Sequence, residues 1–270
     1  MGDAGGRGAS VLRLLVIVVF LAPLALVLAG SLRRVGLPPP QGLELLPADP
    51  GLSAYRALGE ITPLGRLLRN SLLVVAVAVP LATVIASWAG FALAQLAPRW
   101  RRPLVGAVFA LLLVPLPMLW VPRFFLFLEL GVLGTLVPLI APALAATTPF
   151  TVLLAYRAFR GVPPELWEAA RLEGASALTT WRRVGLPMVT ATTTAIAAVA
   201  FVFHWGNYLD ALLYAQSEAT RTLPLGLGEL ATLDSTDQSV LFAGTAVLAV
   251  PAVLALLAVQ RPLLGSGRTR

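Results

Sequence analysis

Long apolar stretches recur along this sequence, and they limit its fold more than any other feature. A membrane-spanning helix needs about 20 mostly apolar residues. Stretches near or above that length lie at residues 11–32, 70–96, 104–122, 135–157, 188–215 and 240–259. With 58% hydrophobic and 12% charged residues, the composition is that of a membrane protein. The sequence therefore predicts an all-α polytopic membrane protein with six transmembrane helices.

The boundaries of the third and fourth helices depend on where charges are tolerated. Residues 104–156 are too many for one span, and Arg123 and Glu129 interrupt them. A charge at mid-bilayer costs about 2.5–3.5 kcal/mol on insertion scales, which favours a break at the membrane surface. We therefore predict helix three over 104–122 and helix four over about 135–157. Arg123 and Glu129 are then either gating charges or paired or solvated residues of a surface loop.

The first apolar stretch has two interpretations. The basic flank of Arg7 and Arg13 also suits a secretory signal peptide. No convincing small-x-small cleavage site precedes Arg33, and the chain has no cysteine that could carry a lipid. We interpret this stretch as an uncleaved anchor. A short basic tail follows Gln260 at the other end of the chain.

The distribution of arginine predicts the orientation in the membrane. Six spans place both termini on one side, and cytoplasmic segments carry an excess of basic residues. With the N-terminus inside, the inner segments hold thirteen of the twenty arginines, and the outer segments hold nine of the thirteen acidic residues. The net charge of +7 thus reflects membrane orientation, and it does not indicate nucleic-acid binding. Both termini and the loop at 163–187 are predicted in the cytoplasm of a bacterial plasma membrane.

The loop at 163–187 is a charged island in this apolar chain. Two prolines at its start suit the first turn of a helix. Gly174 is predicted to end that helix in the left-handed conformation. Ser176 can then cap a second short helix over 177–184, which Gly185 and a proline two residues later would end. The sequence predicts two short helices bent about a glycine.

Within this loop, Glu168, Ala169 and Ala170 are followed by Gly174 and then by Leu186 and Pro187. The spacing of these residues closely resembles the EAA loop of ABC-importer permeases. In that family the loop is a pair of coupling helices that docks into a cleft of a cytoplasmic ATPase. The family usually has aspartate before the glycine, where this chain has Glu173. The alternative is an ordinary amphipathic helix on the membrane surface.

The resemblance extends along nearly the whole chain and favours the maltose-type carbohydrate permeases. The segments that resemble them include Gly90-Phe-Ala-Leu-Ala-Gln95, Leu130-Gly-Val-Leu-Gly-Thr135 and Thr222-Leu-Pro-Leu-Gly-Leu227. It implies one transmembrane domain over 1–270 that moves a sugar by alternating access. It also implies four kinds of partner: a homologous second permease, two ATPase subunits, an extracytoplasmic solute-binding protein and the lipid bilayer. ATP and magnesium would bind the ATPases, and no cofactor is expected in this chain.

The residue inventory argues against enzyme chemistry. All twenty basic residues are arginine, so the chain lacks the lysine of a P-loop and cannot be its own ATPase of that type. A single histidine, His204, cannot build the usual metal site or catalytic triad. We predict no catalytic residue and no metal site. Two alternative functions stay open: a permease for amino acids, phosphate or peptides, and an ion-driven carrier or membrane enzyme. An internal inverted repeat in the sequence would favour a carrier, and none is visible.

A polar and aromatic cluster lies near the outer half of predicted helix five. Its members are Trp205, Asn207, Tyr208 and Asp210. An aromatic face can cover the C–H surface of a sugar, and amides or carboxylates can bind its hydroxyls. These four residues are therefore predicted to line the substrate path, with an interfacial aromatic belt as the alternative. His204, beside them, is predicted to hydrogen-bond to a neighbouring helix.

Overall fold

The computed structural model describes residues 4–37, 47–233 and 237–265, and it describes side chains between residues 15 and 259 of these ranges. The last residues of the predicted basic tail, 266–270, lie outside the described residues. Helices account for most of the described chain, and these ranges contain no strand.

Fourteen α-helices follow one another in the described ranges, interrupted by two 3-10 turns and one π-helical segment. In chain order the helices are α1 (Ala4–Ser31), α2 (Ser53–Ile61), α3 (Leu64–Gln95), α4 (Pro98–Leu112), α5 (Leu116–Glu129), α6 (Val137–Ile140), α7 (Pro149–Arg160), α8 (Pro164–Leu172), α9 (Ala177–Thr179), α10 (Leu186–Met188), α11 (Thr190–Trp205), α12 (Tyr208–Tyr214), α13 (Leu223–Ala231) and α14 (Gln238–Gly265).

Three helical stretches in the described ranges are long and apolar enough to cross a membrane, namely Leu64–Gln95, Val137–Arg160 and Gln238–Val259. Two further pairs of helices qualify if each pair is one bent span. The pair α4 and α5 bends by 92°, and the stretch Ala177–Met188 bends by 90° against α11. The described residues therefore supply three spans, or up to five with the bent pairs.

The predicted boundaries of helix three are wrong. α5 continues through Arg123 and ends at Glu129, and the break lies earlier, just before Leu116. Pro115 has no N–H to donate to the preceding turn, so the helical hydrogen-bond ladder fails there. The turn that follows Glu129 agrees with the prediction, since Gly131 has a positive φ of 64°.

Two segments that lie between the predicted spans contain helices. α2 lies between the first and second predicted spans, and α13 lies between the fifth and the sixth. Both are nine residues long, and a helix this short is marginal without tertiary packing. Leu58 of α2 and Leu230 of α13 are buried in one apolar cluster, and this packing stabilises both helices.

The chain divides into two compact units, and residues 1–64 and 226–251 contribute the first. Its core contains Ala54, Leu58, Leu230, Val240 and Ala243. At the end of α1 the Ser31 hydroxyl lies 2.8 Å from the Tyr55 hydroxyl, so a hydrogen bond joins α1 to α2.

A carboxylate at the start of α14 ties the first unit together. Asp237 accepts hydrogen bonds from the Ser239 N–H at 2.8 Å and from the Gly36 N–H at 2.6 Å. Burial raises the pKa of the Asp237 carboxyl, but the hydrogen bonds from Ser239 and Gly36, with the nearby charge of Arg33, outweigh that effect and lower its pKa. The carboxylate form is therefore favoured in the folded state.

Replacing Asp237 by alanine is expected to lower the melting temperature. Loss of a helix cap costs about 1 kcal/mol, which corresponds to about 2–4 °C for a chain of this size. Because the folded pKa is depressed, this stabilisation is complete above the ordinary carboxyl pKa of 3.8 and is lost as the pH falls through the lower folded pKa. Asp237→Asn, which keeps one acceptor, is the control. Equal melting temperatures for all three proteins at neutral pH would contradict this role.

The second unit, residues 65–225 and 252–270, holds the remaining apolar core. Small side chains allow its helices to approach closely. Ala78 and Ala82 of α3 are fully buried against Ala143 and Ala200. Gly90 lies directly against the backbone of α7, where a Cβ atom would collide with Ala155. This close packing positions the loop that follows α7.

Candidate coupling loop and substrate cleft

The first helix of the loop ends in the motif that the sequence predicts. Gly174 has a φ of 71°, in the left-handed region. The Ala175 N–H donates to the Ala170 carbonyl and the Gly174 N–H donates to the Arg171 carbonyl, both at 3.0 Å. This pair of bonds is a Schellman motif, which closes a helix and reverses the chain in a fixed geometry. The elbow between α8 and the following helix is therefore defined by backbone hydrogen bonds.

The second helix begins as predicted but runs further. The Ser176 hydroxyl accepts a hydrogen bond from the Thr179 N–H at 3.3 Å, as an N-cap. The predicted end at residue 184 is wrong, because a π-helical segment, Thr180–Gly185, continues into α10. The bend comes at Val189, where the Thr190 hydroxyl donates to the Pro187 carbonyl at 2.9 Å. That side chain satisfies a carbonyl that a straight helix would have paired with backbone.

The inner face of the loop packs on an aromatic cluster. Trp167 of α8 is buried, and its ring centroid lies 5.7 Å from that of Phe91 in α3. Phe91 in turn lies 5.5 Å from Phe159 of α7, edge to face. Gly185 allows the second helical segment of the loop to pack closely on this cluster. A Cβ atom at this position would lie 2.9 Å from Phe159 and 3.3 Å from Trp167. The loop is thus fastened to α3 and α7 by side-chain packing.

A second anchor joins the loop to α3. The Trp181 indole N–H donates to the Ser87 hydroxyl at 3.1 Å, and both side chains are buried. The Trp181 ring also meets Trp88 edge to face, with centroids 5.2 Å apart. A buried indole needs such a partner for its N–H. Both halves of the loop are therefore attached to the same end of one long helix.

The outer face of the loop is exposed. Leu172 is 90% exposed and Leu178 is 59% exposed, so two large apolar side chains of this polar loop face solvent. Of the predicted coupling residues, Glu168, Ala169, Gly174 and Pro187 are exposed, Leu186 is partly buried and Ala170 is buried. The segment therefore has one face held by the helical core and one face open to a partner.

Three of the four predicted substrate-path residues line one cleft. Asn207, Tyr208 and Asp210 border a cavity of about 460 Å³ beside α5. The Asn207 side-chain amide donates to the Asp210 carboxylate at 2.9 Å, and the Asp210 N–H donates back to the Asn207 side-chain oxygen at 3.1 Å. Trp205 does not line the cleft: it is buried and stacks on Phe201 at 5.7 Å.

The cleft has two functional candidates that sequence reasoning did not place there. Trp120 and Arg123 of α5 line it, together with Leu116. The three residues are spaced i, i+4 and i+7, a pattern that indicates one helix face. That signal was present, but the prediction placed Arg123 in a surface break. The Tyr214 hydroxyl donates to the Trp120 carbonyl at 3.1 Å and fixes α12 against α5.

His204 is hydrogen-bonded to neighbouring elements, as predicted. One ring nitrogen lies 3.3 Å from the Thr147 hydroxyl, and the other lies 3.2 Å from the Leu139 carbonyl oxygen. The residue is 5% exposed and does not line the cleft. In the part of the chain that the structure describes, no three histidine or acidic side chains are grouped as metal ligands.

Comparison with known proteins identifies the architecture. Residues 82–261 match the family described as "Binding-protein-dependent transport system inner membrane component". The chain belongs to this family of ABC-transporter permeases. The matched range contains the whole loop and the whole cleft.

Characterised relatives of this permease are of similar length. It is 27% identical over 192 residues to the lactose transport system permease protein LacG of Rhizobium radiobacter, covering 71% of this chain and 70% of the relative. It is 30% identical over 192 residues to the arabinooligosaccharides transport system permease protein AraQ of Halalkalibacterium halodurans, covering 71% and 68%.

A solved structure shows the fold. The permease aligns with a chain of a bacterial ABC transporter involved in the import of the acidic polysaccharide alginate, with a TM-score of 0.79. The alignment covers 95% of both chains at 19% identity. The predicted all-helical ABC-importer permease fold is confirmed at this level.

Proposed function

We propose that this permease is the membrane subunit of an ABC importer that translocates a carbohydrate delivered by an extracytoplasmic binding protein. The observation that carries the proposal is the two-faced loop at 163–187. Its inner face is packed on α3 and α7, and its outer face presents Leu172 and Leu178 to solvent. A loop built this way transmits the motion of a docked partner to the helices behind it.

Coupling depends on a rigid contact with an ATPase. In the proposed mechanism Glu168 pairs with a basic group of the ATPase cleft, and the small side chain of Ala169 allows close seating. Ala170 lies on the buried side, and Gly174 holds the Schellman elbow. The carboxyl end of the segment, Leu186-Pro187, connects it to α11 through the bend at Val189. ATP and magnesium act on the ATPase subunits, and this chain contributes no catalytic residue.

The proposed topology has six spans in one transmembrane domain, with both termini in the cytoplasm of a bacterial plasma membrane. Four spans follow from the three candidate helices and the bent pair α4 and α5, and α11 is the fifth, because its bent partner, Ala177–Met188, belongs to the loop at 163–187. The sixth is α1, whose 28 residues extend about 42 Å at about 1.5 Å per residue. The arginine distribution favours a cytoplasmic position for the coupling loop. Partners would be a homologous second permease, two ATPases and the binding protein.

A carbohydrate is the substrate that the relatives and the cleft favour together. The named relatives serve lactose and arabinooligosaccharides, and the solved transporter serves alginate. The cleft combines the aromatic rings of Trp120 and Tyr208 with the polar groups of Asn207, Asp210 and Arg123. Aromatic faces bind the C–H surface of a sugar, while amides and charged groups bind hydroxyls.

Replacing Trp120 by alanine is expected to lower the sugar uptake rate of reconstituted transporter by about fivefold at saturating binding protein, because the loss of an aromatic stacking partner costs about 1 kcal/mol. The measurement is uptake of labelled di- and oligosaccharides into proteoliposomes. Phe125→Ala is the matched control, since Phe125 lies on the same helix, is 59% exposed and does not line the cleft. Equal uptake by both variants would contradict a substrate role for the cleft.

A further inference from the structure

A second, strongly basic cavity lies at the base of the coupling loop. It has a volume of about 320 Å³ and is lined from α3, α4, α7 and α8. Three arginines face it: Arg101, Arg160 and Arg171. Arg171 donates a hydrogen bond to the Gln95 side-chain oxygen at 2.9 Å. Within the described ranges, no carboxylate lies within ion-pair distance of Arg101 or Arg160.

The positive charge of this cavity favours the binding of an anionic ligand. Three guanidinium groups face one carboxylate, that of Glu168, so the lining carries an excess of two positive charges. Like charges gathered around a small cavity repel one another, and a bound anion removes that cost. Arginine is suited to phosphate because its planar guanidinium can donate two parallel hydrogen bonds to the oxygens.

An apolar groove continues from the cavity along α3 and α4. The groove has a volume of about 910 Å³, and Arg123 of α5 is among its lining residues. The apolar side chains that line it on and between α3 and α4 include Leu93, Leu96, Leu104, Ala107, Val108 and Leu111. Leu96 lines both the groove and the basic cavity. A charged pocket and a long hydrocarbon surface therefore adjoin at one residue, which matches the two chemical parts of a phospholipid.

We propose that an anionic phospholipid of the cytoplasmic leaflet binds here, with its headgroup phosphate against Arg101 and Arg160 and one acyl chain along the groove. The assignment to that leaflet rests on the proposed topology. Arg160 is the last residue of α7, and Arg101 lies in the first turn of α4, so both are at ends of membrane helices, where headgroups lie. A free phosphate ion would leave the groove unfilled.

The site gives the lipid a role in coupling. Arg171 and Glu168 belong to α8, whereas Arg101, Arg160 and Leu96 belong to the helical body. A headgroup held by Arg101 and Arg160 also faces Arg171 across the same cavity, and it therefore joins the coupling helix to the ends of α4 and α7. Anionic lipid is expected to stabilise this junction and to raise the number of sugar molecules transported per ATP hydrolysed.

The test uses the complete transporter in nanodiscs that contain phosphatidylglycerol and phosphatidylcholine. Native mass spectrometry counts the lipids that remain on the complex after mild delipidation. The double variant Arg101→Gln with Arg160→Gln is expected to bind phosphatidylglycerol about 30-fold more weakly, which corresponds to about 1 kcal/mol for each arginine. The matched control is Arg99→Gln with Arg102→Gln, which removes the same total charge from the start of α4, beside Arg101, at two residues that do not line the cavity.

A third variant tests the acyl-chain groove. Ala107→Trp fills the groove without changing charge, and it is expected to reduce retention of phosphatidylglycerol while leaving protection by inorganic phosphate against thermal unfolding unchanged. Equal retention by the cavity variant and its control would overturn the proposal. Full displacement of the lipid by inorganic phosphate would also overturn the proposal. So would a double variant Arg101→Gln with Arg160→Gln that lost the ATPase but kept the lipid.

These results separate the lipid site from the proposed function. Lipid retention is measured without transport, so it can be found in a protein that carries no sugar. Normal sugar uptake with no selective retention of phosphatidylglycerol would remove the lipid site and leave the importer assignment intact.

Discussion

Replacing Leu172 by aspartate is expected to abolish ATP-driven sugar uptake while the permease still inserts into the membrane. Leu172 is 90% exposed at the end of α8, so its side chain gains most from burial by a partner. Burying a leucine side chain is worth about 1.5–3 kcal/mol, and an aspartate would also have to be desolvated. Together these terms predict at least about a hundredfold weaker binding of the ATPase. Co-purification of the ATPase with the tagged permease measures this directly.

The control for Leu172 is a leucine of similar character in a different loop. Leu233 is 53% exposed in the segment after α13, which the proposed topology places on the extracytoplasmic side. Leu233→Asp should leave the ATPase bound. Retention of the ATPase by Leu172→Asp at the wild-type level would show that the outer face of α8 is not the docking surface.

Replacing Trp181 by alanine is expected to uncouple ATP hydrolysis from transport. Trp181 is 8% exposed and bonded to Ser87, so truncation leaves a cavity and an unpaired hydroxyl in the anchor between the loop and α3. Truncations of this kind cost about 3–5 kcal/mol. The outer face of α8 is unchanged, so the ATPase should still bind. The expected result is ATP hydrolysis that no longer responds to loaded binding protein, with a lower melting temperature.

Two controls separate anchoring from general loss of an aromatic residue. Trp100→Ala removes a tryptophan that is 59% exposed, and it should leave coupling unchanged. Trp181→Phe keeps the edge-to-face contact with Trp88 but loses the hydrogen bond to Ser87, so it should retain part of the coupling. Full coupling in Trp181→Ala would contradict transmission through this anchor.

The structure of the loop at 163–187 was predictable because local chemistry sets it. A left-handed Gly174 and a capping Ser176 are encoded by residue type and spacing, and both are present as predicted. The length of the second helix was not predictable in the same way. A proline normally indicates the end of a helix. Pro187 instead lies in the first turn of α10, directly after the π-helical segment, where its missing N–H costs little. The bend falls at Val189 instead.

The cleft was only partly predictable because it is built from two segments far apart in sequence. Asn207 and Asp210 were found together through their local spacing, whereas Arg123 was assigned by the cost of a charge in lipid. That cost is reduced when the side chain lines a cleft that also contains Asn207 and Asp210, which sequence periodicity alone does not show. Trp205 was misplaced for the converse reason, since an aromatic residue beside a polar cluster can as easily stack in the core.

The most direct test of the central claim is the accessibility of a single cysteine at position 172. The natural chain has no cysteine, so Leu172→Cys provides one unique label site. A membrane-impermeant maleimide is applied to right-side-out vesicles and to inverted vesicles, each with and without the ATPase. We expect no labelling from the outside, and labelling from the inside that the ATPase suppresses. Labelling from the outside, or labelling from the inside that is indifferent to the ATPase, would contradict the central claim.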